Sequence, residues 1–218
     1  MWHYRETGSG RPLVLLHGIG MSHSVWNAVI PYLSARHRVI AFDIAGFGQT
    51  PPLPSGTPPT PANLVDALEQ SIRELGLEVP LDLAGNSLGG YLALEAARRD
   101  LARTVVAISP AGLWQKHPPP HVQYVFGALR FMAQHLPAVS RGAMRVPLLR
   151  ELLLAVPISP GSRRMAASDA VSAVESLAAS TAFEETFEAT RVPFSGRDIS
   201  VPVTVTCRCG SIPWASRN

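Results

Sequence analysis

Cysteine is nearly absent from this sequence. Of its 218 residues only Cys207 and Cys209 carry a thiol. Two apart on a strand, they would face the same side yet sit too far apart for an unstrained bridge. No His, Asp or Glu lies beside them, so a metal site is not expected there, and none is expected elsewhere. Long apolar runs are missing too. No stretch approaches the roughly 20 residues that span a bilayer, and the start "MWHYRETGSG" lacks a cationic segment followed by an apolar one. Export and membrane insertion are therefore not expected, and the cytoplasm is the expected location. Basic clusters are equally scarce. Lys and Arg number 19 against 16 Asp and Glu, for a net charge of +3, and Arg98-Arg99 and Arg163-Arg164 are the only basic doublets. Such scatter describes a solvated surface and excludes a nucleic-acid footprint.

What is present is a core. Hydrophobic residues make up 46% of the chain, enough to fold as one domain with an elaboration. Short β-rich runs alternate with helical patterns, which predicts an α/β fold with a mostly parallel central sheet flanked by helices. The strands fall at Trp2 to Glu6, Leu13 to Leu16, Arg38 to Phe42, Leu81 to Ala84, Thr104 to Ile108 and Val201 to Thr206. Trp26, Val29, Ile30 and Leu33 keep one helical face; Leu64, Val65, Leu68, Ile72 and Leu75 keep another, started by Thr60-Pro61 and ended by Gly76.

After Ile108 the alternation stops, and about 80 residues read as helical by periodicity. Val122, Val125, Phe126 and Leu129 form one stripe, Leu148, Leu149, Leu152 and Leu153 a second, and Val171, Val174 and Leu177 a third. Core packing is the expected fate of most of these residues. An insertion between two strands of such a sheet is a candidate cap over the strands' C-terminal edge, where ligands bind. The chain thus divides into an N-terminal core part (1-114), a helical cap (115-190), a returning strand (191-206) and an atypical tail (207-218).

Chemistry concentrates in three places. Gly85-Asn86-Ser87-Leu88-Gly89 fits G-x-S-x-G between the strand "LDLA" and an alanine-rich helix. A nucleophile at so sharp a turn needs neighbours without a Cβ on both sides, here Gly85 and Gly89. The hydroxyl would stand near the positive end of the following helix. An oxyanion formed by attack needs preset N–H donors, expected from Leu88 and from Ile19 in the loop His17-Gly18-Ile19-Gly20. His17 is expected to bond backbone and shape that loop with Gly18, not to move protons. The third place is Asp43, which ends a strand ahead of Gly46-Phe47-Gly48 and is expected to fix loop geometry. A dinucleotide fingerprint is set aside, because its third glycine would fall on Pro51 and no helix follows.

Together these landmarks resemble the α/β-hydrolase family, in the branch with H-G-x-G, D-x-x-G-x-G-x-S/T and G-N-S-x-G-G. The resemblance extends from about residue 2 to residue 206, and its specific part is 13 to 113. It implies a Ser–acid–His triad, a helical cap, no cofactor and a small-molecule substrate, ester-like or a hydrophobic acyl compound. Ser87 would be the nucleophile, with Ile19 and Leu88 as oxyanion donors. GNSLGG is similar to carbon–carbon bond hydrolases of ring-cleavage products, but Gly20-Met21-Ser22 replaces their Pro-Gly pair, which favours a broader esterase-like reading. Epoxide hydrolases and haloalkane dehalogenases of this fold use Asp where Ser87 stands.

Neither the triad acid nor the triad His is found. The family places the acid after the strand at Val201 to Thr206 and the His one strand later, whereas the last acid here is Asp198, the last histidine is His135, and the remaining "CRCGSIPWASRN" contains neither type. If Gly210 takes the glycine of the family's G-x-x-D, Pro213 falls where Asp belongs. The family's final strand and helix are expected to be missing, leaving Val201 to Thr206 as an unpaired edge. Three explanations stand: an altered or frameshifted end, which is favoured; a shortened protein that binds without catalysis; or a base swung in from the cap by His117, His121 or His135. A serine without a histidine to take its proton is a poor nucleophile, so this form is expected to be inactive or impaired. Oligomeric state is left open.

Overall fold

A computed structural model describes residues 1–113, 120–154, 161–195, 199–207 and 210–214. Seven strands form one sheet: β1 (Tyr4–Thr7), β2 (Arg11–Leu16), β3 (His37–Phe42), β4 (Leu81–Asn86), β5 (Ala102–Ile108), β6 (Val203–Cys207) and β7 (Gly210–Trp214), in the order β1-β3-β2-β4-β5-β6-β7. Strands β3, β2, β4, β5 and β6 run parallel, and β1 and β7 pair antiparallel at the two edges. Val14, Leu15 and Leu16 in β2 and Val39, Ile40 and Ala41 in β3 are wholly buried, as strands covered on both faces must be.

The helical faces follow the periodicity with local differences. Helix α2 (Pro61–Glu74) buries Leu64, Val65, Leu68 and Ile72, and Thr60 caps it by accepting from the Asn63 N–H at 3.2 Å. The stripe Trp26 to Leu33 is instead broken into a 3-10 turn (His23–Trp26) and the single turn α1 (Ile30–Leu33), with Val29 left exposed. Trp2 lies before β1, with its N–H donating to Ser71 Oγ and its ring edge-on to Phe42.

Between β5 and β6 come only helices among the described residues: α3 (Leu88–Ala97) precedes β5, and α4 (Pro120–His135), α5 (Pro137–Arg145), α6 (Pro147–Leu154), α7 (Ala167–Ala179) and α8 (Phe183–Ala189) follow it. Leu129, Val174, Leu177 and Phe183 join the core that lies on the sheet. Arg130, nearly buried, ties this group together: its guanidinium donates to the Leu177 and Ser180 carbonyls and to Glu184, and stacks over Phe183.

Two expectations are overturned. Most of the stripe on α6 does not pack inward: Leu148 and Leu152 are 77% and 74% exposed and Leu149 is also exposed, only Leu153 of the four packs against the core, and Arg150 and Leu154 are buried. The reason is that the Arg150 guanidinium donates to the Met144, Ser162 and Arg163 carbonyls, which rotates the helix charge-inward. The tail is also not strandless. Gly210–Trp214 turns back on β6, with Thr204 opposite Pro213, so β6 is not an unpaired edge. The register at β1 and β6 is shifted one or two residues C-terminal to the spans expected from the sequence.

Candidate functional site

The C-terminal ends of β2, β3 and β4 bring the three motif regions together. Ser87 sits alone between β4 and α3 with φ 50° and ψ −112°, a region L-residues avoid and that only surrounding structure can enforce. Its N–H donates to the Ile108 carbonyl (2.9 Å), and its own carbonyl accepts from the Tyr91 (3.0 Å) and Ala111 (2.9 Å) N–H groups. A Cβ at Gly85 would overlap the Gly89 backbone, and one at Gly89 would overlap the Leu16 carbonyl. That close approach seats the first turn of α3 on the end of β2, where Gly89 N–H donates to the His17 carbonyl at 3.0 Å.

The loop after β2 lies against the serine. A Cβ on Gly18 would stand 3.5 Å from Ser87 Cβ and 3.1 Å from Asn86 Oδ1, so this backbone runs directly beside the serine. His17 is fully buried, and both ring nitrogens are committed: Nδ1–H donates to the Gly18 carbonyl (2.7 Å) and Nε2 accepts the Ile44 N–H (2.9 Å). Burial lowers its pKa from 6.5 to about 4, so the ring is neutral at physiological pH. Ile19 and Leu88 are both buried. Gly20, at φ 72°, meets Leu177 and Phe183 of the helical insertion, and Gly46 meets Ala182, so α7 and α8 lie over these loops.

Asp43 anchors the neighbouring loop. Its carboxylate is fully buried and accepts from the His23 N–H (2.6 Å), the Gln49 N–H (2.9 Å), His23 Nδ1 (2.9 Å) and His3 Nδ1 (3.0 Å). Burial pushes its pKa up, but the hydrogen bonds from His23 and Gln49 outweigh it and hold the carboxyl well below the usual carboxylate range. His3 and His23 were not legible as partners, because they lie 40 and 20 residues from Asp43 in sequence. A cavity of about 310 Å³ opens beside this cluster, lined by His23, Asp43 and Gln49 from below and by Ser172, Glu175 and Ser176 of α7 from above.

Among the described residues no histidine or carboxylate hydrogen-bonds to the Ser87 hydroxyl. His135 is stacked on Phe131 at 4.2 Å and bonds the Phe131 carbonyl, and His37 bonds the Leu33 carbonyl. His117 and Asp198 lie outside the described residues, as does the side chain of His121.

A mostly parallel sheet with an antiparallel first strand, helices inserted before β6 and a serine at the β4–α3 joint defines the α/β-hydrolase fold. Residues 13–210 match the family model described as "Alpha/beta hydrolase family", and the chain belongs to that family. It is 35% identical over 109 residues to an (E)-2-((N-methylformamido)methylene)succinate hydrolase of Acinetobacter baylyi, a match covering 49% of this chain and 40% of that protein. It is 33% identical over 115 residues to a 2-hydroxy-6-oxo-6-(2'-aminophenyl)hexa-2,4-dienoic acid hydrolase of Metapseudomonas resinovorans, covering 50% and 39%. These alignments thus span well under half of each relative. Among solved structures, a deformylase from Pseudomonas putida superimposes with a TM-score of 0.71 at 17% identity, covering 94% of this chain and 77% of that one. A serine hydrolase of carbazole degradation gives 0.63 at 21% identity, covering 94% and 74%. At such identities the likeness is one of fold.

Proposed function

We propose that this chain is a serine hydrolase of small ester-like substrates in which Ser87 is the nucleophile. The observation that carries this reading is the enforced positive φ of Ser87 at the head of α3, with the Gly18 backbone alongside. Ser87 Oγ adds to the substrate carbonyl carbon, and the Ile19 and Leu88 N–H groups receive the oxyanion; neither has an intramolecular acceptor among the described residues. The Ser87 hydroxyl proton passes to solvent as Oγ adds; collapse of the intermediate breaks the bond to the alcohol oxygen, which takes a proton from solvent, and water then hydrolyses the acyl-serine, releasing the acid and returning a proton to Ser87 Oγ. His17, neutral and doubly bonded, holds the loop. The helices α4 to α8 serve as the cap. The dienoic-acid hydrolase relative supports a carbon–carbon-cleavage substrate as the alternative class.

No described residue takes the Ser87 proton, so the 218-residue chain is expected to acylate slowly. Loss of the base from such a triad costs about 10⁶ in kcat, with a residue of catalysis from the oxyanion donors. The same observation favours a second reading, a binding module that holds a ligand without turning it over.

A fluorophosphonate probe with peptide mapping tests both. Slow labelling confined to Ser87, lost in Ser87→Ala and accelerated by added imidazole, supports the proposal. Rapid labelling without imidazole would mean that a base acts on Ser87, and no labelling under any condition would remove Ser87 as the nucleophile.

A further inference from the structure

Asp43, His3 and His23 form a cluster that the proposed hydrolysis leaves unused. The three side chains come from different parts of the fold: His3 from the segment before β1, His23 from the 3-10 turn after β2, and Asp43 from the end of β3. One nitrogen of each imidazole and one carboxylate oxygen all lie within 4.8 Å of one another. Since an ionised carboxylate only accepts, both Nδ1 atoms carry the proton in the metal-free state, and both rings are turned onto the same buried anion.

We infer that His3 Nδ1, His23 Nδ1 and Asp43 form a binding site for a divalent transition-metal cation such as Zn²⁺. Two imidazoles and one carboxylate are a donor set suited to Zn²⁺, Co²⁺, Ni²⁺ or Fe²⁺, and poorly suited to the oxygen-seeking Ca²⁺ or Mg²⁺. Ligand atoms about a tetrahedral ion at bond lengths of about 2.1 Å stand roughly 3.4 Å apart. The two Nδ1 atoms stand 3.0 and 2.9 Å from opposite oxygens of the carboxylate, Oδ2 and Oδ1, and one donor atom of each residue lies within 4.8 Å of the others, so rotation of the side chains brings the three donors onto one ion. The proton balance is simple: each ring keeps one proton, transferred from Nδ1 to Nε2, and a ring that starts protonated releases one.

Three further features fit an ion here. The Asp43 carboxylate is already held from behind by the His23 and Gln49 backbone N–H groups, as metal-bound carboxylates are. The adjoining cavity of about 310 Å³ leaves room for water at the remaining coordination positions. Its described wall carries no Lys or Arg, and the buried Asp43 carboxylate supplies negative charge there, Glu175 being paired with Arg141.

The test is calorimetric titration of Zn²⁺ into the full 218-residue chain carrying Cys207→Ser and Cys209→Ser, which removes the thiols as rival ligands. One ion per chain is expected, with His3→Gln and His23→Gln each weakening binding at least ten-fold and the pair abolishing it. Ca²⁺ should not compete. In parallel, Co²⁺ should broaden the ring signals of His3 and His23 selectively among the seven histidines. This readout needs no histidine variant, so it decides the matter even where a substitution unfolds the chain. Undiminished binding in the double variant, broadening centred on other histidines, Ca²⁺ binding of equal strength or no binding by the parent chain would each overturn the inference.

Discussion

Acidification from pH 7 to pH 4 should destabilise the folded chain by about 3 kcal/mol through His17 alone. In the folded state the ring is fully buried and its pKa falls from 6.5 to about 4, chiefly because burial penalises the charged form. Protonation would also add a proton at Nε2, where the Ile44 N–H now points. The unfolded chain therefore takes up the proton first. Stability from this group is fully present above pH 6.5, declines between 6.5 and about 4, and levels off below. At roughly 1.4 kcal/mol per pH unit the interval from 6.5 to about 4 is worth about 3.5 kcal/mol, of which about 3 is lost by pH 4, where the folded ring is itself about half protonated. Asp43 acts in a different window: its folded carboxyl is depressed, so its contribution persists above its ordinary pKa and is lost only at lower pH. Denaturant melts at steps from pH 7 to pH 4 should be compared between the parent chain and His17→Gln, whose amide can donate to Gly18 and accept from Ile44 without titrating. The variant starts less stable but should lack the extra slope. Parallel stability–pH curves for the two proteins would refute the assignment of a neutral, doubly bonded His17.

Other substitutions separate the forces at the site and in the helical insertion. Ser87→Gly should raise stability by about 1 kcal/mol, because glycine adopts φ 50° without strain, and thermal melting should register roughly 2–4 °C; an unchanged or lower midpoint would argue against strain at Ser87. Gly85→Ala should cost about 3 kcal/mol or prevent soluble expression, since its Cβ meets backbone that cannot move without shifting β4 or α3. Arg150→Met should cost about 3 kcal/mol in denaturant unfolding, by removing the donor of the Met144 and Arg163 carbonyls and one of two donors of the Ser162 carbonyl, which keeps the Met165 N–H. By contrast, Leu148→Ser and Leu152→Ser should each change stability by no more than about 0.5 kcal/mol, an outcome opposite to that of a core leucine.

Most of the sheet and the turn at Ser87 were legible because their signals are local. A strand, a glycine two before, a glycine two after and a helix occupy fewer than twenty consecutive residues, and the steric demand that links them acts through the same backbone. The five parallel strands likewise announced themselves as short apolar runs between helical patterns. The α6 stripe misled for the complementary reason. Periodicity says that leucines share a face but not which way that face turns, and three carbonyls from neighbouring segments decided the rotation in favour of Arg150. The segment 210–214 offered no apolar alternation, and its pairing with β6 arises from chain reversal, which strand propensity does not report.

By itself, the sequence determined the α/β class, the family's three motifs in their order, and a serine held at a strand-to-helix joint, since each depends on residues close together along the chain. Only the tertiary structure decided that His17 is buried with both nitrogens engaged, that α6 carries its arginine inward, and that His3 and His23 converge on Asp43. Those outcomes join groups from 6 to 40 residues apart on different elements, and burial, charge state and hydrogen-bond partners there are set by which elements lie side by side.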